Sequence, residues 1–204
     1  MQMLIYGASI TYGKCDPSGG WAERLRKHVD ENAKNIDENS IFNLGISGDT
    51  SEDLLKRMEF ETKQRLNDGE KPILIISIGI NDSQFLHDEN KLRTKPDKFR
   101  KNIRNLIQIA RKFSSEIVFV GLLQVDEART DPIPWNMNKS YKNEYVEQYN
   151  EIIKEVCKET NTYFVDVLML LEPKSLYDGL HPTSEGHQRI FEVVRDSLKV
   201  QKFI

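Results

Sequence analysis

The sequence predicts an α/β domain built as a parallel sheet with helices on both faces. Three observations predict it. Short β-branched runs alternate with longer amphipathic stretches along the whole chain, and such runs read as strands buried on both faces. A strand–helix–strand repeat with right-handed crossovers lays each helix over a face of the sheet. At 204 residues, 38% hydrophobic and 30% charged, the chain suits one core without disulfide or metal staples.

The elements follow in order. Leu4-Ile5-Tyr6 is the first strand, and the polar turn Gly7-Ala8-Ser9-Ile10-Thr11 follows it. Trp21, Leu25, His28 and Val29 share one helical stripe, which makes His28 a core or boundary residue. Ile41-Phe42-Asn43-Leu44 is the second strand, followed by Gly45-Ile46-Ser47-Gly48-Asp49-Thr50. Thr50-Ser51-Glu52-Asp53 has the pattern of a capping box opening a helix. The third strand runs from Ile73 to Ile78 and leads into Gly79-Ile80-Asn81-Asp82. Phe99, Ile103, Leu106, Ile107, Ala110 and Phe113 form the next helical stripe, with Asp97 as its expected N-cap. After a fourth strand, Ile117-Val118-Phe119-Val120, a stripe of Val146, Tyr149, Ile152, Ile153 and Val156 precedes the fifth, Tyr163-Phe164-Val165. Asp178-Gly179-Leu180-His181-Pro182 comes next, and His187 belongs to a final helix.

Gln84 to Pro96 and Gln124 to Ser140 show no regular pattern. Loops this long in a compact domain are more often functional than idle, so they are candidate walls of a site. Trp135, Met137 and Tyr141 either line that site or pack the second loop down. With no internal repeat or linker, residues 1–204 are expected to form one domain.

A net charge of -3, with the Lys and Arg residues dispersed over a solvated surface, gives no electrostatic reason to bind nucleic acid or anionic membrane. No apolar run approaches the roughly 18 residues of a membrane span, and the first residues lack the character of a signal peptide, so a cytoplasmic protein is expected. Cys15 and Cys157 show no metal-ligand spacing and read as free thiols, Cys157 in the core and Cys15 in a loop. His87 and His187 have no ligand neighbours at useful spacing either, so neither metal nor cofactor is expected.

In open parallel sheets, ligands bind beyond the carboxyl ends of the strands, where four of the segments above converge. Taken singly, each has a structural explanation: Ser9 as a turn cap, His181 as a satisfied loop histidine, Asp178-Gly179 as a turn and Gly48 as the bend before a helix. Together they supply a hydroxyl, a base and a carboxylate. A hydroxyl becomes a nucleophile when a base takes its proton, and a carboxylate fixes the tautomer of that base. Ser9, His181 and Asp178 suit those roles. The backbone N–H groups of Ser9 and Gly48 and the side-chain amide of Asn81 suit an oxyanion hole.

These four segments resemble, in order and spacing, the blocks of the SGNH hydrolases, also called GDSL-type esterases and lipases. The resemblance runs from Gly7 to Pro182. It implies a three-layer α/β/α sandwich of flavodoxin-like type, with about five parallel strands, and hydrolysis of carboxylic esters or thioesters without a metal. It puts the nucleophile at Ser9, oxyanion donors at Gly48 and Asn81, the base at His181 and its partner at Asp178. Where the family's first block usually reads Gly-Asp-Ser, this chain has Ala8. Two readings stand at this point: a serine acylhydrolase acting on small-molecule esters, and a sugar- or lipid-binding module of the same fold in which Ala8 marks a decayed site. A phosphate cradle is disfavoured, because neither GxGxxG nor GxxxxGK[ST] occurs.

Overall fold

The structure, a computed structural model, describes residues 1–33, 35, 39–67 and 69–204. Five strands form the central sheet: β1 (Gln2–Gly7), β2 (Ser40–Gly45), β3 (Ile73–Ser77), β6 (Ile117–Val120) and β8 (Tyr163–Val165). All neighbours pair in parallel, in the order β2-β1-β3-β6-β8. That is the flavodoxin-like order, which reverses direction between β1 and β3 and opens a crevice at their carboxyl ends.

Side chains alternate across the strands, so each strand feeds two cores. Leu4, Tyr6, Leu74, Ile76, Ile117 and Phe119 face one side. There they meet α3 (Ser51–Arg65), α4 (Pro96–Ala110) and α6 (Asn143–Glu159) through Leu54, Met58, Phe99, Ile103, Val146 and Tyr149. Met3, Ile5, Ile73, Ile75, Val118 and Val120 face the other, against α2 (Gly20–Glu31) and α7 (Ser184–Val200). The result is a three-layer α/β/α sandwich. Fully burying one of these Leu, Ile or Phe side chains stabilises the fold by about 1.5–3 kcal/mol.

Several expectations are corrected here. Only the three central strands are covered on both faces. β2 and β8 lie at the sheet edges, where most of their residues keep partial exposure. The helix striped by Phe99 and Ile103 starts two residues earlier than Asp97 would set: Lys95 is the N-cap and Pro96 occupies the first turn, where its missing N–H costs nothing. The two irregular segments also contain structure. The first holds β4 (Phe85–Leu86) and β5 (Lys91–Leu92), and the second α5 (Glu127–Thr130) and β7 (Lys139–Ser140). β4 pairs antiparallel with both β5 and β7, so the two loops are stitched into one small sheet. Two-residue strands are too short for alternation to show in a sequence. His87, in the turn between β4 and β5, shares a 2.7 Å hydrogen bond with Ser140 Oγ.

The capping box holds. Thr50 Oγ1 accepts the Asp53 N–H, and the Asp53 carboxylate accepts the Thr50 N–H at 3.1 Å. Cys157 is buried in the core, and His28 sits at its boundary, edge-on to Phe191. Among the described residues, no helix is long and apolar enough to cross a membrane.

Candidate active site

Ser9 is the first residue of α1 (Ser9–Tyr12), the single helical turn that follows β1. Its position at a helix start leaves its N–H without an intrahelical acceptor. The end of β2 is pressed against this turn: a Cβ on Gly45 would lie 2.3 Å from the Tyr12 nitrogen and 2.8 Å from the Ala8 oxygen. Glycine is required there by space, whereas Gly48 is required by conformation, at φ 90 with open space around it. Ala8 is buried among apolar neighbours, so the position that carries Asp in the usual block belongs here to the core.

The structure brings Ser9, His181 and Asp178 into one hydrogen-bonded line. His181 Nε2 lies 2.9 Å from Ser9 Oγ, across 172 residues of sequence. On the other edge of the ring, Nδ1 lies 2.7 Å from Asp178 Oδ2. Asp178 Oδ1 accepts the N–H groups of His181 at 2.8 Å and Leu180 at 3.1 Å, so the turn locks the carboxylate before it meets the imidazole. Burial pushes the Asp178 carboxyl up, but the bonds from the His181 ring and backbone outweigh it and hold it at about 2. A fixed anion facing Nδ1 keeps the proton there and leaves Nε2 as an acceptor toward Ser9. His181 is buried and Asp178 partly exposed.

Asn81 is held at both ends. Its Oδ1 accepts the Tyr141 hydroxyl at 2.7 Å, and its Nδ2 donates to the Asp49 carbonyl, next to Gly48, at 2.9 Å. These bonds set the orientation of the amide, and because Nδ2 carries two hydrogens, one is left over. The buried Asp82 then ties this turn to α3, accepting the Ser51 N–H at 2.8 Å and the Ser51 hydroxyl at 2.6 Å. Burial lifts the Asp82 carboxyl to about 6, with the two Ser51 bonds pulling the other way.

Two arginines that read as surface charge in the sequence are structural clamps. Arg57 donates to the carbonyls of Gly7 and Leu44, at the ends of β1 and β2, and pairs with Asp49 at 2.8 Å. Arg129 donates to the carbonyls of Pro173, Leu176 and Tyr177, holding the segment that presents Asp178. His187 stands apart from the Ser9 line. It is buried, accepts the Trp21 N–H at 3.3 Å and faces the Lys14 carbonyl, and burial pushes it down to about 4.

Two neighbours of the line were not separable by sequence. Trp135 is half exposed, with its ring centroid 6.3 Å from that of His181 and 6.0 Å from Lys14 Nζ. Cys15, in the loop after α1, reaches Asp178 and His181, and ligand atoms of the three lie within 4.8 Å of one another. Spacing in sequence does not reveal donors that only the closed fold brings together.

Comparison with known proteins identifies the family. The chain is 29% identical over 159 residues to an acetylxylan esterase of Geobacillus stearothermophilus, a match covering 72% of this chain and 66%, just under two thirds, of that enzyme. The crystal structure of the acetylxylan esterase Axe2 from the same organism superposes with a TM-score of 0.73 at 22% identity, covering 97% of this chain and 93% of Axe2. TesA superposes with a TM-score of 0.71 at 24% identity over 98% of each chain. The profile of the GDSL-like lipase/acylhydrolase family matches residues 5–189, from β1 into α7 and across every segment described above. This chain belongs to the GDSL-like lipase/acylhydrolase family of ester hydrolases.

Proposed function

We propose that this protein hydrolyses short-acyl esters, acetylated carbohydrates foremost, through an acyl-enzyme on Ser9. The observation that carries the reading is the bonded line from Ser9 Oγ through the His181 ring to Asp178. Ser9 Oγ attacks the acyl carbon as its proton passes to His181 Nε2, and Asp178 stabilises the imidazolium that forms. The Ser9 and Gly48 N–H groups and Asn81 Nδ2 donate to the oxyanion. When the tetrahedral intermediate collapses, Nε2–H protonates the leaving alcohol. Water then enters, gives its proton to Nε2 and releases the acid. Every role is filled by protein groups, and turnover in EDTA is expected to match turnover without it.

The retention of all three residues, already bonded, favours an enzyme over a binding module with a decayed site. Ala8 supports the same view, because its side chain packs into the core instead of leaving a gap beside Ser9. The sugar preference rests on the exposed face of Trp135 beside His181, a flat apolar surface on which the leaving alcohol can stack. The similarity to an acetylxylan esterase supports it too. The test is kcat/KM on acetylated xylo-oligosaccharides, p-nitrophenyl acetate and long-chain p-nitrophenyl esters. Acetylated sugars are expected to lead, with Trp135→Ala raising their KM while sparing p-nitrophenyl acetate. A preference for long acyl chains would overturn the substrate assignment.

A further inference from the structure

The loop after α1 carries a donor that the hydrolytic mechanism does not use. Cys15 sits at φ 68 between Lys14, whose N–H donates to the Ser9 carbonyl at 3.0 Å, and Asp16. The Asp16 carboxylate accepts the N–H groups of Ser18 and Gly20, each at 3.0 Å, and pairs with Arg24. Arg24 in turn donates to Ser184 Oγ at the start of α7. The backbone on either side of Cys15 is thus held by the fold. Its sulfur, a carboxylate oxygen of Asp178 and a ring nitrogen of His181 all lie within 4.8 Å of one another.

We propose that Cys15, Asp178 and His181 form a binding site for a thiophilic divalent cation, with Zn2+ as its fitting occupant, and that the bound cation reversibly switches the hydrolase off. A thiolate, an imidazole and one carboxylate match the ligand preferences of Zn2+ and not those of Mg2+ or Ca2+, which favour all-oxygen shells. Ligands 2.0–2.3 Å from a tetrahedral Zn2+ stand about 3.5 Å apart, so pairs now up to 4.8 Å apart close by about 1.3 Å at most, while His181 Nδ1 and Asp178 Oδ2, now 2.7 Å apart, open by about 0.8 Å. Cys15 and Asp178 are partly exposed, which gives a hydrated ion its entry and leaves solvent to fill the fourth position. Asp178 Oδ1 is occupied by two backbone N–H groups, and Oδ2 turns to the metal once the Nδ1 proton it now accepts is displaced.

Proton balance explains the inhibition. A cysteine thiol at its ordinary value carries its proton at neutral pH, so the free site holds a protonated sulfur. Binding releases that proton to solvent and forms the metal–thiolate bond. The ring nitrogen facing Asp178 is Nδ1, and a neutral imidazole that gives its Nδ1 lone pair to a metal carries its one proton on Nε2. Nε2 then points a hydrogen at Ser9 Oγ and has no lone pair with which to take the serine proton. This consequence rests on the role assigned to His181 above. The metal site itself does not.

The experiment uses Co2+ as an optical stand-in for Zn2+ on the intact chain, alongside Zn2+ titration of p-nitrophenyl acetate turnover. Wild type is expected to show a thiolate-to-Co2+ charge-transfer band that Zn2+ displaces and that Cys15→Ser and His181→Ala both lose. Without metal, Cys15→Ser is expected to keep wild-type turnover, and its half-inhibiting Zn2+ concentration is expected to rise about tenfold or more. Absence of the band in wild type, or its persistence in Cys15→Ser, would overturn the site. Because the band needs no turnover, it is read equally well if the hydrolytic assignment fails. Equal Zn2+ inhibition of wild type and Cys15→Ser would overturn the switch.

Discussion

Asp178→Asn separates what the carboxylate does for the fold from what it does for His181. Asn retains an oxygen to accept the Leu180 and His181 N–H groups, so the turn survives. The amide nitrogen then replaces Oδ2, 2.7 Å from Nδ1. Two donors cannot face each other, so the imidazole moves its proton to Nε2, the nitrogen that must accept from Ser9. The expected loss in kcat/KM is about 10⁴-fold, or roughly 5.5 kcal/mol of transition-state stabilisation. His181→Ala, which removes the base, is expected to cost more, about 10⁶-fold. Asp178→Ala removes the acceptor of both backbone bonds and should lower stability by about 1.5–3 kcal/mol, while Asp178→Asn should melt close to wild type. The assay is p-nitrophenyl acetate hydrolysis with thermal melts on the same preparations. An Asp178→Asn protein within about tenfold of wild-type kcat/KM would refute the tautomer argument.

Other outcomes are expected from the neighbouring groups. Asn81→Ala should lower kcat by about 10²–10³ with little change in KM, and Tyr141→Phe, which frees Oδ1 of the same amide, should lower it by less; a fall in melting temperature with kcat intact would mark Asn81 as structural instead. The Asp82 carboxyl, held at about 6 against an unfolded value near 3.9, favours the folded state most when protonated. Its contribution, about 2–3 kcal/mol, is full below the unfolded value and lost as pH rises through about 6, so denaturant titrations should show stability falling over that interval, and less steeply in Asp82→Asn. Asp178 works in the opposite sense: its folded value of about 2 adds stability that is full above about 4 and lost as pH falls toward 2.

Much of this architecture is legible in the sequence because its signals are local and repeated. The apolar runs at Ile73 and Ile117 are long enough to mark central strands, and Thr50 and Asp53 stand at capping-box spacing. The blocks around Ser9, Gly48 and Asn81 fall just after strands, where a parallel sheet puts its ligands, and the block around His181 follows the last strand. What escapes depends on closure of the chain. β2 and β8 carry apolar runs much like the central strands, and only the strand order leaves them at the edges. Tyr141 is one aromatic among several in its region until the loop folds it onto Asn81. Arg57 and Arg129 look like solvated charge because their acceptors are backbone carbonyls, which no residue type advertises. Cys15 meets Asp178 only once α1 and the segment before α7 share one end of the sheet.

The claim on which the rest depends is that Ser9 is the nucleophile, and covalent labelling by a fluorophosphonate tests it most directly. Intact mass spectrometry should show one adduct per wild-type chain, with peptide mapping placing it on Ser9 and turnover falling in step with its formation. Ser9→Ala should neither label nor turn over while melting like wild type. An adduct on any other residue, or ester hydrolysis that persists in folded Ser9→Ala, would contradict the account.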